Sequence, residues 1–218
     1  PPPPPPPPPP PAPPTVGARI DSAGNVIGTN AADLMDGSSR FVTNGADTIF
    51  GGSGDDTMFG GNSGAAIASA DFLIGDDGDD LIFGEGGMDA LFGRIGNDRM
   101  DGGSDTDLVF GEDGEDRVAG GTGLDALLGG AGADRFVLTP DPGNVNIEGV
   151  FDFNRTEGDK IEFSGTAFAG IATAAQAVNG QIVPTFFTVI NFGTATAPQV
   201  LLVGGNPSLI ESDFIVTG

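Results

Sequence analysis

The chain has 218 residues, 31 acidic against 8 basic, for a formal net charge of −23, and it contains no cysteine and no histidine. Such a balance repels nucleic acid and anionic membrane while attracting divalent cations, and the missing side chains exclude disulfides, thiol chemistry, an H-E-x-x-H zinc helix and any Ser-His-Asp triad. No run reaches 18 consecutive apolar residues, so no membrane-spanning helix and no membrane insertion are expected.

Residues 1–14 are proline throughout except Ala12, a composition that favours a stiff polyproline II rod rising about 3.1 Å per residue and acting as a spacer. With proline first and no charged-then-apolar leader, the expectation is a processed product or the carboxy-terminal part of a longer protein, with an upstream domain. Residues 15–41 are polar and rich in turn formers, with Val16, Ile20, Val26 and Ile27 placed for short strands and Gly28 to Asp36 resembling a worn copy of the unit that follows. This stretch is expected to cap the amino-terminal end of a coil.

Residues 42–137 are periodic. From Ala66 to Val137, 72 residues divide without a gap into eight nine-residue units. The sixth position of each is aspartate (Asp71, Asp80, Asp89, Asp98, Asp107, Asp116, Asp125, Asp134) and the eighth is apolar (Leu73, Ile82, Leu91, Met100, Val109, Val118, Leu127, Phe136). Val42 to Phe50 and Gly51 to Phe59 fit the same frame through Asp47 and Ile49, then Asp56 and Met58. Glycines at the first, second and fourth positions permit positive φ and close backbone approach, so six residues are expected to turn and three to form a strand. Two units then complete one coil of a parallel β-helix with strands about 4.8 Å apart. Units two apart become neighbours, which stacks Asp80, Asp98, Asp116 and Asp134 in one column and Asp71, Asp89, Asp107 and Asp125 in another. Carboxylates at that spacing repel by on the order of 1 kcal/mol in water and several times more at an effective dielectric near 20, so each column calls for cations. Hard oxygen donors without imidazole or thiolate select Ca²⁺ over zinc or copper.

Irregularities fall at defined places. Gly37 to Phe41 and Gly60 to Ala65 interrupt the period as side loops, which a solenoid tolerates because closure grows only slowly costlier with length. Ala66, Ile67 and Ser69 replace the three glycines of the unit of Asp71. Asp105 at a fourth position suits left-handed geometry, whereas Arg94 at a second position has to point outward. Paired acids such as Asp55-Asp56, Asp76-Asp77 and Asp79-Asp80 belong to the repeat frame and are better read as calcium ligands than as glycosidase carboxylates; no enzymatic activity is expected of this chain.

The pattern G-G-x-G-x-D-x-U-x, clearest in Gly51-Gly52-Ser53-Gly54-Asp55-Asp56-Thr57-Met58-Phe59, resembles the calcium-binding nonapeptide of RTX proteins. The resemblance implies an all-β fold, a right-handed parallel β-roll with a β-rich carboxy-terminal cap, holding several Ca²⁺ ions. It assigns the ligands as the position-six carboxylates, Asp47 and Asp56 included, together with backbone carbonyls of the glycine turns. Those turns carry Gly52, Gly54, Gly78, Gly87, Gly96, Gly103, Gly114, Gly121, Gly123, Gly130 and Gly132.

Residues 138–218 lose the period after Thr139-Pro140-Asp141-Pro142-Gly143. Val150 to Phe153 and Ile161 to Phe163 alternate as half-buried strands around a turn through Asn154 to Lys160. Gly170 to Val178 reads as a short helix stopped by Asn179-Gly180, Phe186 to Phe192 and Gln199 to Val203 as strands, Asn206-Pro207-Ser208 as the opening of a helical turn, and Phe214 to Val216 as a closing strand. Through Phe151-Asp152-Phe153-Asn154, Asp159-Lys160-Ile161 and the terminal Ser212-Asp213-Phe214-Ile215-Val216, this tail is similar to the segment after the repeats in serralysin-type secreted metalloproteases. That likeness implies a cap for the roll and an uncleaved signal for a type I secretion apparatus, in a Gram-negative bacterium.

The expectation is therefore a secreted, extracellular or cell-surface calcium module that folds on Ca²⁺ after export and serves a larger protein; the alternative is a building block of a surface layer, fibre or adhesin. Strand alternation also separates two outer faces. One carries Phe72, Ile74, Ala90, Phe92, Leu108, Phe110, Ala126 and Leu128, all apolar, and the other an arginine ladder of Arg99, Arg117 and Arg135. The apolar face, centred on Phe92 and Phe110, is expected to be covered by the carboxy-terminal segment, an upstream domain or a second copy of the chain.

Overall fold

The computed structural model describes residues 19–20, 26–27, 34–36, 46–61, 70–138, 146–164, 187–191, 199–204, 209 and 211–217. The proline-rich start, the first side loop, the second from residue 62 onward, the turn after residue 138 and the helix expected over 170–178 lie outside them.

Position-eight residues point into the coil and their neighbours point out, so each unit contributes one strand and successive strands alternate between two sheets. In chain order one sheet contains β1 (Arg19–Ile20), β2 (Val26–Ile27), β4 (Thr48–Ser53), β6 (Phe72–Asp77), β8 (Ala90–Ile95), β10 (Leu108–Asp113), β13 (Asn146–Val150), β15 (Phe187–Asn191) and β16 (Gln199–Gly204). The other contains β3 (Leu34–Asp36), β5 (Thr57–Phe59), β7 (Leu81–Phe83), β9 (Arg99–Asp105), β12 (Arg135–Leu138), β14 (Lys160–Ser164) and β17 (Phe214–Thr217). The long β11 (Arg117–Ala131) passes through both and joins them. Pairing is parallel and in register from coil to coil, as in Leu73 with Leu91, Leu91 with Val109 and Val109 with Leu127. The chain is a parallel β-roll. The described exceptions to parallel pairing sit at the two ends of the first sheet, where β1 runs antiparallel to β2 and β15 to β16. An antiparallel end strand stops the coil from propagating and closes a sheet edge.

The core is a single file. Ile49, Met58, Leu73, Ile82, Leu91, Met100, Val109, Val118, Leu127 and Phe136 are each fully buried, and the file continues through Val150, Phe153, Ile161 and Val203 into the carboxy-terminal segment. Each such side chain contributes roughly 1.5–3 kcal/mol on burial. One per nine residues is a thin core, so the turns bear much of the stability.

Two details differ from the sequence reading. The strands overrun the three residues allotted to them: β6, β8 and β10 continue through the first three turn positions, with Gly52 opposite Asp76 and Asp76 opposite Arg94. Stacked turns of equal shape bond to one another as strands do, for example through the N–H of Gly78 on the carbonyl of Ile95 (2.8 Å). Val150 to Phe153 is also not one strand. β13 starts earlier and ends at Val150, because the Asp152 side chain turns back to accept the N–H groups of Gly129 and Gly130 (3.1 and 2.9 Å).

The apolar outer face forms an aromatic ladder. Phe72 and Phe92 have ring centroids 5.0 Å apart, and Phe92 and Phe110 stack at 4.9 Å. Ile74 on this face is buried, Phe92 and Phe110 are half-buried, and Phe72 and Leu108 stay 39% and 45% exposed. On the opposite face Phe59 stacks on Phe83 at 5.1 Å, and Arg117 reaches Glu162 at 3.3 Å.

Candidate metal centre

The position-six aspartates line up along both edges of the roll. On one edge the N–H of Asp56 donates to Oδ1 of Asp80, that of Asp80 to Asp98, that of Asp98 to Asp116 and that of Asp116 to Asp134, at 2.7–2.9 Å. On the other, Asp47 donates to Asp71, Asp71 to Asp89, Asp89 to Asp107 and Asp107 to Asp125, again at 2.7–2.9 Å. The carbonyl of each of these residues accepts the N–H at position seven of the next coil, as Asp80 does from Arg99 (2.8 Å). Backbone and one carboxyl oxygen are thus consumed by the ladder, which fixes the side chain.

The second oxygen is left over. Oδ2 of Asp80, Asp89, Asp98, Asp107, Asp116, Asp125 and Asp134 is buried with no hydrogen-bond partner, although a buried carboxylate oxygen ordinarily finds one. What each faces is shown by the glycine at position one of its own unit. A Cβ on Gly75 would lie 2.1 Å from Oδ2 of Asp80 and 2.7 Å from the carbonyl oxygen of Gly93, and one on Gly84 would lie 2.5 Å from Oδ2 of Asp89 and 2.4 Å from the carbonyl oxygen of Gly102. Position one is therefore glycine to keep an oxygen-lined space open, and not for its φ.

Positive φ is needed at the second and fourth positions. Gly52, Gly103, Gly121 and Gly130 at the second and Gly54, Gly78, Gly87, Gly96, Gly114, Gly123 and Gly132 at the fourth all adopt it. So do the non-glycine occupants Asp76, Glu85, Arg94 and Glu112 at the second position and Asp105 at the fourth. Arg94 leans outward, 3.5 Å from Asp76, with about half its side chain exposed.

Burial dominates the electrostatics. It raises the carboxyl pKa from 3.8 to about 7 in Asp80, Asp89, Asp98 and Asp116, with the backbone N–H bond opposing and neighbouring carboxylates reinforcing the shift. Asp107 reaches about 8 for the same reasons, and Asp47, Asp125 and Asp134 about 6, again chiefly through burial. Ionising a column of these groups calls for a cation beside it. Among the described residues no three carboxylates converge into a side-chain cage, so a cation here would draw its remaining oxygens from main-chain carbonyls. That donor set suits Ca²⁺, which takes 6–8 oxygens in adaptable geometry. The orphaned oxygens and the glycine-lined spaces fit the ion.

For Asp71 the structure revises the frame. A Cβ on Gly60 would meet Oδ2 of Asp71 at 2.8 Å and the carbonyl oxygen of Gly84 at 2.7 Å, and Gly61 has a φ of 103°. Gly60 and Gly61 thus stand at positions one and two of this unit, where the period alone placed Ala66 and Ile67. The turn of this unit therefore opens before residues 62–69 and not after them.

Three acids of the carboxy-terminal segment join the edges and were not assigned from the period. Asp159 accepts the N–H of Asp134 (3.0 Å) and so ends one column. Glu148 pairs with Asp125 at the end of the other, and Asp152 ties down Gly129 and Gly130. The signal was present: Glu148 precedes Val150, and Asp159 precedes Ile161, by the same two residues that separate positions six and eight. Gly143 even stands five residues before Glu148, as position one stands before position six; the glycines of the other turn positions were missing. Ser212 to Val216 belong to the next coil of the second sheet: a 3-10 turn (Glu211–Asp213) leads into β17, which pairs with β14 with Phe214 opposite Ile161.

Residues 41–63, 68–100 and 101–136 match the family model of the RTX calcium-binding nonapeptide repeat (4 copies). No curated protein matches the chain. Among solved structures it is similar, at 18% identity and a TM-score of 0.33, to the AlgE6R3 subunit of the Azotobacter vinelandii mannuronan C5-epimerase, covering 84% of this chain and 78% of that one. At the same identity and TM-score it is similar to the extracellular lipase LipA from Serratia marcescens, covering 87% of this chain and 39% of the lipase.

Proposed function

From the premise that this chain carries RTX calcium-binding nonapeptide repeats folded as a parallel β-roll, we propose that it is an extracellular module whose coil forms when Ca²⁺ is supplied after export, serving a larger secreted protein. The observation that carries the reading is the row of buried Oδ2 atoms without hydrogen-bond partners, each beside a space kept open by a glycine. A bound ion supplies positive charge between coils. The chain's own residues do the rest: position-one and position-six residues provide oxygens, positions two and four bend the backbone around them, and the aspartate N–H ladder holds the spacing. Because these bonds exist only in the coil, binding free energy becomes folding free energy. Extracellular calcium modules work near 10⁻⁴ to 10⁻³ M, roughly the range expected here. The chain has no tryptophan or tyrosine, so the test is far-UV circular dichroism during a Ca²⁺ titration. Strand signal should appear with calcium and vanish with chelator; an identical spectrum after exhaustive chelation sinks the reading.

Export through a type I apparatus draws its support from the terminal residues. Asp213 is fully buried and held by the Arg155 guanidinium, Lys160 donates to the carbonyl of Ser212 (2.8 Å), and β17 is paired. A signal in Ser212 to Val216 would be legible only in the unfolded chain, which suits folding after transport. Removing Ser212 to Gly218 should abolish secretion; normal secretion of the soluble truncated chain would leave these residues a capping role alone.

The second reading, a building block that assembles through its apolar face, is favoured by the part-exposed ladder of Phe72, Phe92 and Phe110. Sedimentation in calcium decides it. A concentration-dependent dimer or fibre lost on replacing Phe92 and Phe110 by serine supports assembly, and a monomer at all concentrations rejects it.

A further inference from the structure

The aspartate column on the edge of Asp107 and Asp125 does not end with the last nonapeptide. β13 continues the coil in register, placing Glu148 opposite Asp125 and Val150 opposite Leu127. Glu148 is 1% exposed and Asp125 5%. At Gly51, Gly75, Gly84, Gly93, Gly102 and Gly111, an added Cβ would meet two oxygens: Oδ2 of the unit's own aspartate and the carbonyl oxygen of the position-one glycine one coil further on. At Gly120 both oxygens that the described residues supply come from side chains. The second oxygen there is Oε2 of Glu148 at 2.5 Å, beside Oδ2 of Asp125 at 2.7 Å. Glutamate is one methylene longer than aspartate, and that length carries its carboxylate from position six over the space that position one keeps open.

We propose that Asp125 and Glu148 form a further calcium site at the junction between the last repeat and the carboxy-terminal segment, where the glutamate side chain supplies a ligand and the ion latches the cap onto the roll. The inference rests on the calcium reading of the columns. It stands on two independent observations: the register, which brings two buried carboxylates over one glycine, and Oδ2 of Asp125, buried with no hydrogen-bond partner. The opposite edge ends differently. Asp159 there spends one oxygen on the N–H of Asp134 (3.0 Å) and the other on the N–H of Asn154 (2.7 Å), and around Gly129 the nearest atoms all belong to Asp134. The Asp159 carboxylate is thus taken up by backbone N–H groups, whereas at the Glu148 end two carboxylates border one space. β13 pairs with β16, which carries β15, so an ion at this junction orders the first sheet's end as a unit.

The test uses the full chain, stripped with chelator and titrated with Ca²⁺ by calorimetry, with amide hydrogen exchange followed at saturation. Glu148→Gln is expected to bind one ion fewer than the wild type and to exchange faster in β13 and β16, with β6 to β10 unchanged. An equal number of ions bound by Glu148→Gln overturns the junction site and leaves the repeats' calcium reading standing; it is the result expected if Asp125 and Glu148 share a proton instead. A wild type that binds no calcium overturns both. Should the amide keep the cap from forming, Glu148→Asp, which keeps the charge and withdraws it by a methylene, is expected to bind the full number of ions with the last at least tenfold weaker. A Glu148→Asp isotherm identical to the wild type also overturns the site.

Discussion

Replacing Asp98 by asparagine alters the charge of one oxygen with almost no change of shape, and the expected effect on stability has opposite signs with and without calcium. Asp98 is 1% exposed and lies mid-column, with Asp80 and Asp116 in the adjacent coils. At a coil spacing of about 4.8 Å and an effective dielectric near 20, each neighbouring carboxylate repels it by about 3.5 kcal/mol when ionised. Asparagine keeps the oxygen that accepts the N–H of Asp80 and can aim its amide at the Gly111 carbonyl, which borders the same space: a Cβ on Gly93 would lie 2.2 Å from Oδ2 of Asp98 and 2.9 Å from that carbonyl oxygen. In chelator at pH 8.5, above the Asp98 pKa of about 7, the variant should gain stability, by about 1–3 kcal/mol after solvent screening. In millimolar calcium it should lose roughly 3–5 kcal/mol, the cost of removing one partner from a buried ionic contact. Urea unfolding followed by circular dichroism measures the calcium-loaded loss. In chelator, the amount of trimethylamine N-oxide needed to induce the strand signal should fall for the variant, since an excluded osmolyte favours the compact state. A shift of the same sign in both media refutes the argument that these carboxylates are held for a cation.

Three further outcomes follow from the same geometry. The raised carboxyl pKa values, about 6 for Asp47, Asp125 and Asp134, about 7 for Asp80, Asp89, Asp98 and Asp116, and about 8 for Asp107, make acid a substitute for calcium. A group raised above its unfolded value stabilises fully below the unfolded value and loses that contribution as pH rises through the folded one. In chelator the chain should thus show strand signal near pH 4 and lose it between pH 6 and 8, while calcium holds it at pH 8.5; a chelated chain better folded at pH 9 than at pH 4 contradicts this. Gly93→Ala would put a Cβ 2.2 Å from Oδ2 of Asp98, at a cost of about 1–3 kcal/mol by overpacking; calorimetry should also show one calcium site lost, and an unchanged isotherm would show that the space is not used. Phe92→Ala breaks two ring contacts, with Phe72 and Phe110, worth about 0.5–1.5 kcal/mol each. The urea midpoint in calcium should fall while the number of bound ions stays the same.

The sequence by itself determined the coil, its two columns and the chemistry of their edges. An aspartate and an apolar residue two apart, repeated every nine residues between glycines, is a local pattern, and a solenoid stacks local patterns at constant offset. Asp80, Asp98, Asp116 and Asp134 fell into one column for that reason alone, and Arg94 had to point outward because a cation is unwelcome beside a metal. Only the tertiary structure decided what happens where the offset changes. Between Asp56 and Asp80 it is 24 residues and between Asp134 and Asp159 it is 25, against 18 within the array, so counting along the chain no longer says which residue stands above which. Hydrogen bonding to the preceding coil decides it. That bonding gives Asp71 its glycines from the near side of the side loop, carries β6, β8 and β10 around into their turns, and sets Glu148 and Asp159 on the ends of the columns. Each of these residues completes a coil begun by another, and a template that supplies unpaired N–H groups and an unfilled oxygen position selects its partner by fit and not by distance along the sequence.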